Sequence, residues 1–168
     1  MRLYLIRHAI AAESDPKRWP DDRERPLTAL GARRFRRTTR ALVDLIEAGG
    51  TAERLLTSPL VRARQTAALL HRAGFPAPVE ESVLAPGRTP ARVLAVLRAH
   101  AAKSIVLVGH EPDLGRLLGV CIAGQQGKPS LRFRKGGAAC LSFTGAPRVG
   151  EATLEWLLPP KALRALRR

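Results

Sequence analysis

The sequence predicts an α/β sandwich in three layers, with a mostly parallel central sheet, helices on both faces and a late antiparallel strand at an edge. Three observations predict it. Short apolar runs of strand length alternate with longer segments whose apolar residues recur at helical spacing. The 168 residues suit one domain and carry no internal repeat or low-complexity linker, so 1–168 is read as a single domain. Polar clusters directly follow three of the expected strands, as they do where parallel strands end together at one sheet edge.

The elements follow in order. Residues 2–6 are a short apolar run that reads as a buried strand ending at Arg7 and His8. Residues 9–25 lack periodicity and carry Pro16, Pro20 and mixed charges, which predicts a long excursion loop. Thr28 is a candidate N-cap for a helix in which Phe35, Leu42, Leu45 and Ile46 recur at helical spacing until Gly49-Gly50. On that helix Arg33, Arg34, Arg36, Arg37 and Arg40 fall mostly on the exposed side. Residues 54–57 read as a second strand, and Ser58-Pro59 opens a helix through His71 that stops at Gly74. Residues 79–84 read as a strand, and Thr89-Pro90 starts a helix to about His100. Residues 104–108 form an apolar strand before Gly109-His110, and a helix runs from about Pro112 to Ile122, closed by Gly124. Residues 137–143 and 153–158 read as two late strands around a Gly/Pro turn, followed by Pro159-Pro160 and a short basic tail.

Composition bounds the function. No apolar run approaches the ~20 residues of a membrane span, and the run after Met1 is too short for a signal-peptide core. The only cysteines, Cys121 and Cys140, lie in apolar segments and read as buried thiols, which excludes a disulfide framework or a CxxC site. A soluble, cytoplasmic protein without a membrane partner is expected. The net charge is +15, with 29 Lys and Arg against 14 Asp and Glu. Such an excess is the footprint of nucleic-acid binding. Yet aromatics are only 4%, too few for a stacking platform, and the arginines are spread along the chain, so no specific nucleic acid is expected as a partner. Attraction to anionic, phosphorylated substrates stays open.

The polar clusters after the strands are Arg7-His8, then Ser58 with Arg62, then Gly109-His110. Arginine offers a permanently charged planar fork that matches phosphate. A neutral imidazole can act as a nucleophile near pH 7, and a second imidazole, if protonated, adds a donor. Phosphoryl transfer needs mainly positioning and neutralisation of the equatorial oxygens. No Walker loop, GxGxxG, HExxH or carboxylate cage occurs. These residues therefore predict phosphoryl transfer without a metal or other cofactor.

Leu5-Ile6-Arg7-His8-Ala9 resembles the RHG signature of the histidine phosphatase superfamily, whose members share the phosphoglycerate-mutase-like fold. Ser58-Pro59-Leu60-Val61-Arg62-Ala63-Arg64-Gln65-Thr66-Ala67 resembles its SPxxRAxQTA element, and Val108-Gly109-His110 its second-histidine element. The absence of a large insert between Arg62 and His110 is similar to the SixA-type phosphohistidine phosphatases, as are Arg25-Pro26-Leu27-Thr28 with Gly31, Leu84-Ala85-Pro86-Gly87 and Arg134-Lys135-Gly136. The resemblance spans residues 2–163. It implies that His8 attacks phosphorus and is transiently phosphorylated, while Arg7, Arg62 and His110 hold the phosphoryl oxygens. Ser58 either supports that pocket or caps the helix that carries Arg62; both readings stand at this point. Ala9 replaces the usual glycine, which would cost about 1 kcal/mol only if residue 9 had a positive φ.

Larger members of the superfamily carry a glutamate in a segment absent here. The candidates for a general acid are Asp22, three residues before Arg25 as in SixA-like chains, then Asp21, Glu80, Glu81 and Glu111. Glu111 could instead orient His110 or sit at the start of the following helix. A site without a dedicated acid suits phosphohistidine, whose imidazole leaving group needs less protonation than an alkoxide. The expected partner is thus a phosphohistidine protein. Small phosphoesters are the alternative substrates, and a non-catalytic phosphate- or nucleic-acid-binding module is the alternative function.

Overall fold

The computed structural model describes residues 1–124 and 131–166. Six strands form one sheet: β1 (Arg2–Arg7), β2 (Arg54–Thr57), β3 (Pro78–Glu80), β4 (Ser104–Gly109), β5 (Ala138–Ser142) and β6 (Thr153–Leu158). Their order is β3-β2-β4-β1-β5-β6. The pairs β2–β3, β2–β4 and β1–β4 are parallel, whereas β5 runs antiparallel to β1 and β6 antiparallel to β5. The expected parallel sheet with a late antiparallel edge is therefore present.

Five helices cover it: α1 (Ala29–Glu47), α2 (Val61–His71), α3 (Pro90–Ala99), α4 (Asp113–Ala123) and α5 (Pro160–Ala165). The period-two alternation of the central strands divides the interior into two cores. Leu3 and Leu5 of β1 join Ile105 and Leu107 of β4 against Leu94, Leu97, Leu114 and Leu118 of α3 and α4. Tyr4 and Ile6 join Val106 and Val108 on the other face, against Phe35, Leu42, Ala67, Leu70 and Leu163 of α1, α2 and α5. A strand buried on both faces needs an unbroken apolar run, which is what 104–108 and 3–6 supply.

Several local expectations hold. Thr28 caps α1, its hydroxyl accepting from the Gly31 N–H at 2.9 Å. The five arginines on α1 are exposed, and both cysteines are buried free thiols, with burial raising Cys121 to about 12 and Cys140 to about 11. Two expectations need correction. The strand expected at 79–84 ends at Glu80, and Ser82–Leu84 form a 3-10 turn that carries Leu84 into the core. The basic tail is partly helical: α5 seats Leu163 in the core beside α1, and only Arg167 and Arg168 lie outside the described residues.

The first turn of α1 lies against the chain that leaves the end of β1. Thr28 N–H donates to the Ile10 carbonyl at 3.0 Å, and a Cβ at Gly31 would stand 2.1 Å from that same oxygen. Alanine in a helix normally stabilises by about 1 kcal/mol relative to glycine. Here overpacking reverses the sign: Gly31→Ala is expected to lower the urea midpoint, by a loss of about 1–3 kcal/mol. An unchanged or raised midpoint would contradict the close approach.

Candidate active site

The parallel register brings the site residues together. Arg7 pairs with Gly109 and Thr57 with Val108, so β1, β2 and β4 end at one edge. The residues that follow are His8, Ser58 and His110, and the His8 and Ser58 N–H groups continue the ladder to Gly109 and Val108 carbonyls at 3.1 and 3.0 Å. The His8 and His110 rings are 5.1 Å apart between centroids. Arg62 lies in the first turn of α2 and is 5% exposed. Every sequence-predicted member of the phosphate cluster is thus at this edge.

The tautomer of His8 follows from its partner. Its Nδ1 lies 2.7 Å from the Ala9 carbonyl, which can only accept, so Nδ1 carries the proton and Nε2 keeps its lone pair. Burial, with Arg62, Arg7 and Lys135 adding repulsion, pushes the His8 pKa down to about 3 against the favourable Ala9 hydrogen bond. The imidazole is neutral at pH 7. Ala9 is 2% exposed and is not among the residues with positive φ, so the methyl group costs no backbone strain.

His110 is likewise pushed down to about 3, by burial first and then by His8, Arg62 and Arg7. Its donor role therefore cannot rest on a charged ring. Its Nε2 lies 2.8 Å from Ser58 Oγ, while its Nδ1 is buried with no partner. Ser58 does not cap α2: Leu60 is the N-cap and makes no side-chain bond there. The hydroxyl meets His110 instead, with a longer 3.4 Å contact from Leu60 N–H.

The two guanidinium groups are each held by a backbone carbonyl. Arg7 Nη1 donates to the Phe133 carbonyl at 2.7 Å, and Arg62 Nη1 to the Asp22 carbonyl at 2.8 Å. Burial lowers the pKa of both, opposed by Glu111 for Arg7 and by Asp22 for Arg62. Arg7 Nε, Arg62 Nε and His110 Nδ1 are all buried without a hydrogen-bond partner. Leaving the two guanidinium donors unmet costs about 1–3 kcal/mol each. A tetrahedral oxyanion satisfies donors of this kind in one step.

The acid candidates separate by position. Asp22 Oδ2 pairs with Arg62 Nη2 at 3.1 Å and Oδ1 with Arg25 Nε at 2.7 Å. The Arg25 hydrogen bond, then Arg62, holds its carboxyl below the usual range despite some desolvation. Asp21 accepts from Arg23 N–H in the adjoining 3-10 turn. Glu80 faces Arg64 at 3.5 Å and Glu81 meets His100 at 3.0 Å. Glu111 Oε1 accepts from Phe133 N–H at 2.6 Å, which steadies the residue whose carbonyl holds Arg7.

Three supports were not singled out from the sequence. Thr66 Oγ1 donates to the Arg62 carbonyl at 2.7 Å and accepts from Ala9 N–H at 3.0 Å, tying α2 to the chain after His8. Gln65 Oε1 accepts from Leu27 N–H at 2.7 Å. Gly136, at φ +78°, offers its N–H to the Arg7 and His8 carbonyls at 3.1 and 3.0 Å. Each lies inside a motif stretch, but only the fold shows its contact. Among the described residues, no group of three or more His, Cys, Asp or Glu is placed to hold a metal ion. No helix among them is long and apolar enough to cross a membrane.

Residues 3–85 match the model of the histidine phosphatase superfamily (branch 1). The chain belongs to the histidine phosphatase superfamily. An uncharacterized protein of Picosynechococcus sp. is 38% identical over 95% of this chain and 100% of its own length. The structure of the protein histidine phosphatase SixA complexed with tungstate is similar at 25% identity and TM-score 0.80, over 97% of this chain and 99% of that one. The alpha-ribazole phosphatase of Shigella flexneri shares the fold at 18% identity and TM-score 0.69, over 95% and 97% of the two chains. The chain is accordingly a phosphatase of this superfamily, acting on phosphorylated substrates.

The neutral, buried histidines predict a pH dependence of stability. Both have folded pKa values below the ordinary 6.5, so on acidification the unfolded chain takes up protons first. Their contribution is complete above about pH 6.5 and falls below it by about 1.4 kcal/mol per pH unit for each ring. Replacing His110 by Gln is expected to reduce the slope of unfolding free energy between about pH 6 and pH 5 by roughly one such increment. Urea titrations at several pH values check this, and an unchanged slope would contradict a neutral, buried His110.

Proposed function

We propose that this phosphatase removes phosphoryl groups from phosphohistidine in proteins, without a metal, through a phosphoenzyme on His8. The observation that carries the reading is a His8 Nε2 lone pair at the same sheet edge as three buried, unpartnered nitrogens, Arg7 Nε, Arg62 Nε and His110 Nδ1. The likeness to a SixA structure complexed with tungstate, a tetrahedral oxyanion, supports it.

Nε2 of His8 attacks phosphorus as the bond from phosphorus to the substrate ring breaks, and that ring, protonated from solvent on its other nitrogen, leaves as neutral imidazole. Nδ1 of His8 keeps its proton, so the phosphorylated ring is cationic and is steadied by the Ala9 carbonyl. When water attacks in turn, His8 leaves as the neutral imidazole it was before and needs no outside acid. Asp22 is held ionised by Arg25 and Arg62, which makes it a poor proton donor and a fitting acceptor for the proton of that water. In this reading Ser58 acts through His110: a hydroxyl donating to Nε2 leaves the proton of the neutral ring on Nδ1, the buried atom with no protein partner and so free to donate to a phosphoryl oxygen. The substrate preference follows from the missing acid. Asp22 is ionised and Glu111 is engaged by Phe133, whereas a phosphohistidine ring takes a proton from solvent on its distal nitrogen at a pKa of roughly 6.5 and then departs as neutral imidazole, with no acid needed at the scissile nitrogen.

Phosphate release from a phosphohistidine-bearing protein in excess EDTA tests the reading. Wild type is expected to release phosphate and His8→Ala to release none. Equal release by both would overturn the role of His8, and faster turnover of alkyl phosphates than of phosphohistidine would overturn the substrate assignment. Ser58→Ala is expected to lower kcat by about tenfold or more, through loss of the bond that fixes the His110 tautomer. A kcat within twofold of wild type would contradict that positioning role.

A further inference from the structure

Behind the chain that leaves His8 lies a second cleft, of about 120 Å³. It is lined by Ala9, Arg34, Thr38, Lys135, Gly136 and Arg164 together with apolar neighbours, and no carboxylate lines it. Arg34 projects from the first half of α1, Arg164 from α5, and Lys135 from the loop whose next residue, Gly136, is bonded to the Arg7 and His8 carbonyls. None of the three cations has an ion-pair partner among the described residues, although Asp22, Glu80 and Asp113 each pair with an arginine elsewhere. Two of the charges act on one another: after burial, Arg34 and Arg37 lower the Arg164 pKa, while Lys135 is lowered by burial and then by Arg7, Arg25 and Arg62, with Glu13 opposing. Arg34 and Arg164 repel across the concavity, and a bound anion relieves that repulsion. The volume has room for about four waters' worth of ligand, enough for a carboxylate group.

We infer that the Arg34–Lys135–Arg164 cleft is a docking subsite for acidic side chains flanking the phosphorylated residue of a protein substrate. This rests on the phosphohistidine reading, because in a polypeptide substrate the anionic groups near the scissile phosphoryl are Asp and Glu side chains. Ala9 and Gly136 line the cleft, and both adjoin His8, Ala9 in the chain and Gly136 through its hydrogen bond to the His8 carbonyl, which sets the cleft beside the catalytic loop. The subsite contributes to binding and not to the chemical step.

The test uses two phosphohistidine peptides that differ only in having Glu or Gln around the histidine. Arg34→Gln with Arg164→Gln removes two cleft charges; Arg33→Gln with Arg36→Gln removes two from α1 that do not line the cleft. For the Glu peptide, the cleft variant is expected to raise KM about tenfold with kcat unchanged, and the control pair less than about twofold. The Gln peptide is expected to show neither change. Fluorescence anisotropy with the unphosphorylated Glu peptide gives the same ordering of Kd values without turnover, so it decides the docking question even if His8 proves not to be the nucleophile. Equal effects of the two variant pairs, or equal KM for the two peptides with wild type, would overturn the subsite. Oligo-dT of matched charge displacing the peptide with the same Kd would overturn it too, by showing a general polyanion surface. Matching melting temperatures of the variants establish that folding is not the cause.

Discussion

The parallel pairing of β1 with β4 is the constraint on which the rest depends. It aligns Arg7 with Gly109, so that the next residue of each strand is a histidine and the two rings meet 5.1 Å apart. A slip of one residue would turn Leu3 and Leu5 into the layer now held by Tyr4 and Ile6. The two-sided core therefore fixes the register, and the register fixes the site. Around that pair, α2 delivers Arg62, Thr66 ties α2 back to Ala9, and Gly136 clamps the carbonyls of Arg7 and His8. Catalytic geometry here is a consequence of core packing.

The electrostatics set stability against function. Two guanidinium groups are buried beside two imidazoles, and burial joins with the guanidinium charges to keep both rings neutral. Neutrality gives His8 a lone pair, and in the proposed mechanism His110 donates from the tautomer in which Ser58 holds Nε2 as acceptor. The unmet Nε donors of Arg7 and Arg62 are a cost in the free protein and, in the proposed mechanism, a binding surface for the phosphoryl group. The same logic extends outward along the cations: where Asp22 and Arg62 pair, the rim is balanced, and where Arg34, Lys135 and Arg164 gather unpaired, an acidic partner completes the balance.

Much of this was legible in the sequence because it was written in short-range patterns. The runs 3–6 and 104–108 announced two-sided burial, Thr28 announced the start of α1, and the residues after three strands announced a shared edge. What escaped depended on long-range contact. Ser58 sits where a helix cap is expected, and only the approach of β4 shows its hydroxyl meeting His110, fifty-two residues away. Residues 79–84 carry Val79, Val83 and Leu84 in a strand-like mixture, yet the edge position of β3 leaves the chain free to turn after Glu80. Asp22 was visible as a carboxylate near Arg25, but its ionised state comes from Arg62, forty residues on, as well as from Arg25. Glu111 was readable as a partner of His110 and instead braces Arg7 through Phe133.

The most direct test of the covalent role of His8 is to catch the intermediate. Enzyme is mixed with a phosphohistidine protein, quenched within milliseconds in alkali, where phosphohistidine survives, and digested for mass spectrometry. The predicted result is one phosphoryl group on the peptide containing His8, appearing before free phosphate and absent from His8→Ala. Release of phosphate with no phosphorylated His8 peptide at any time, or with the label on another residue, would contradict the mechanism.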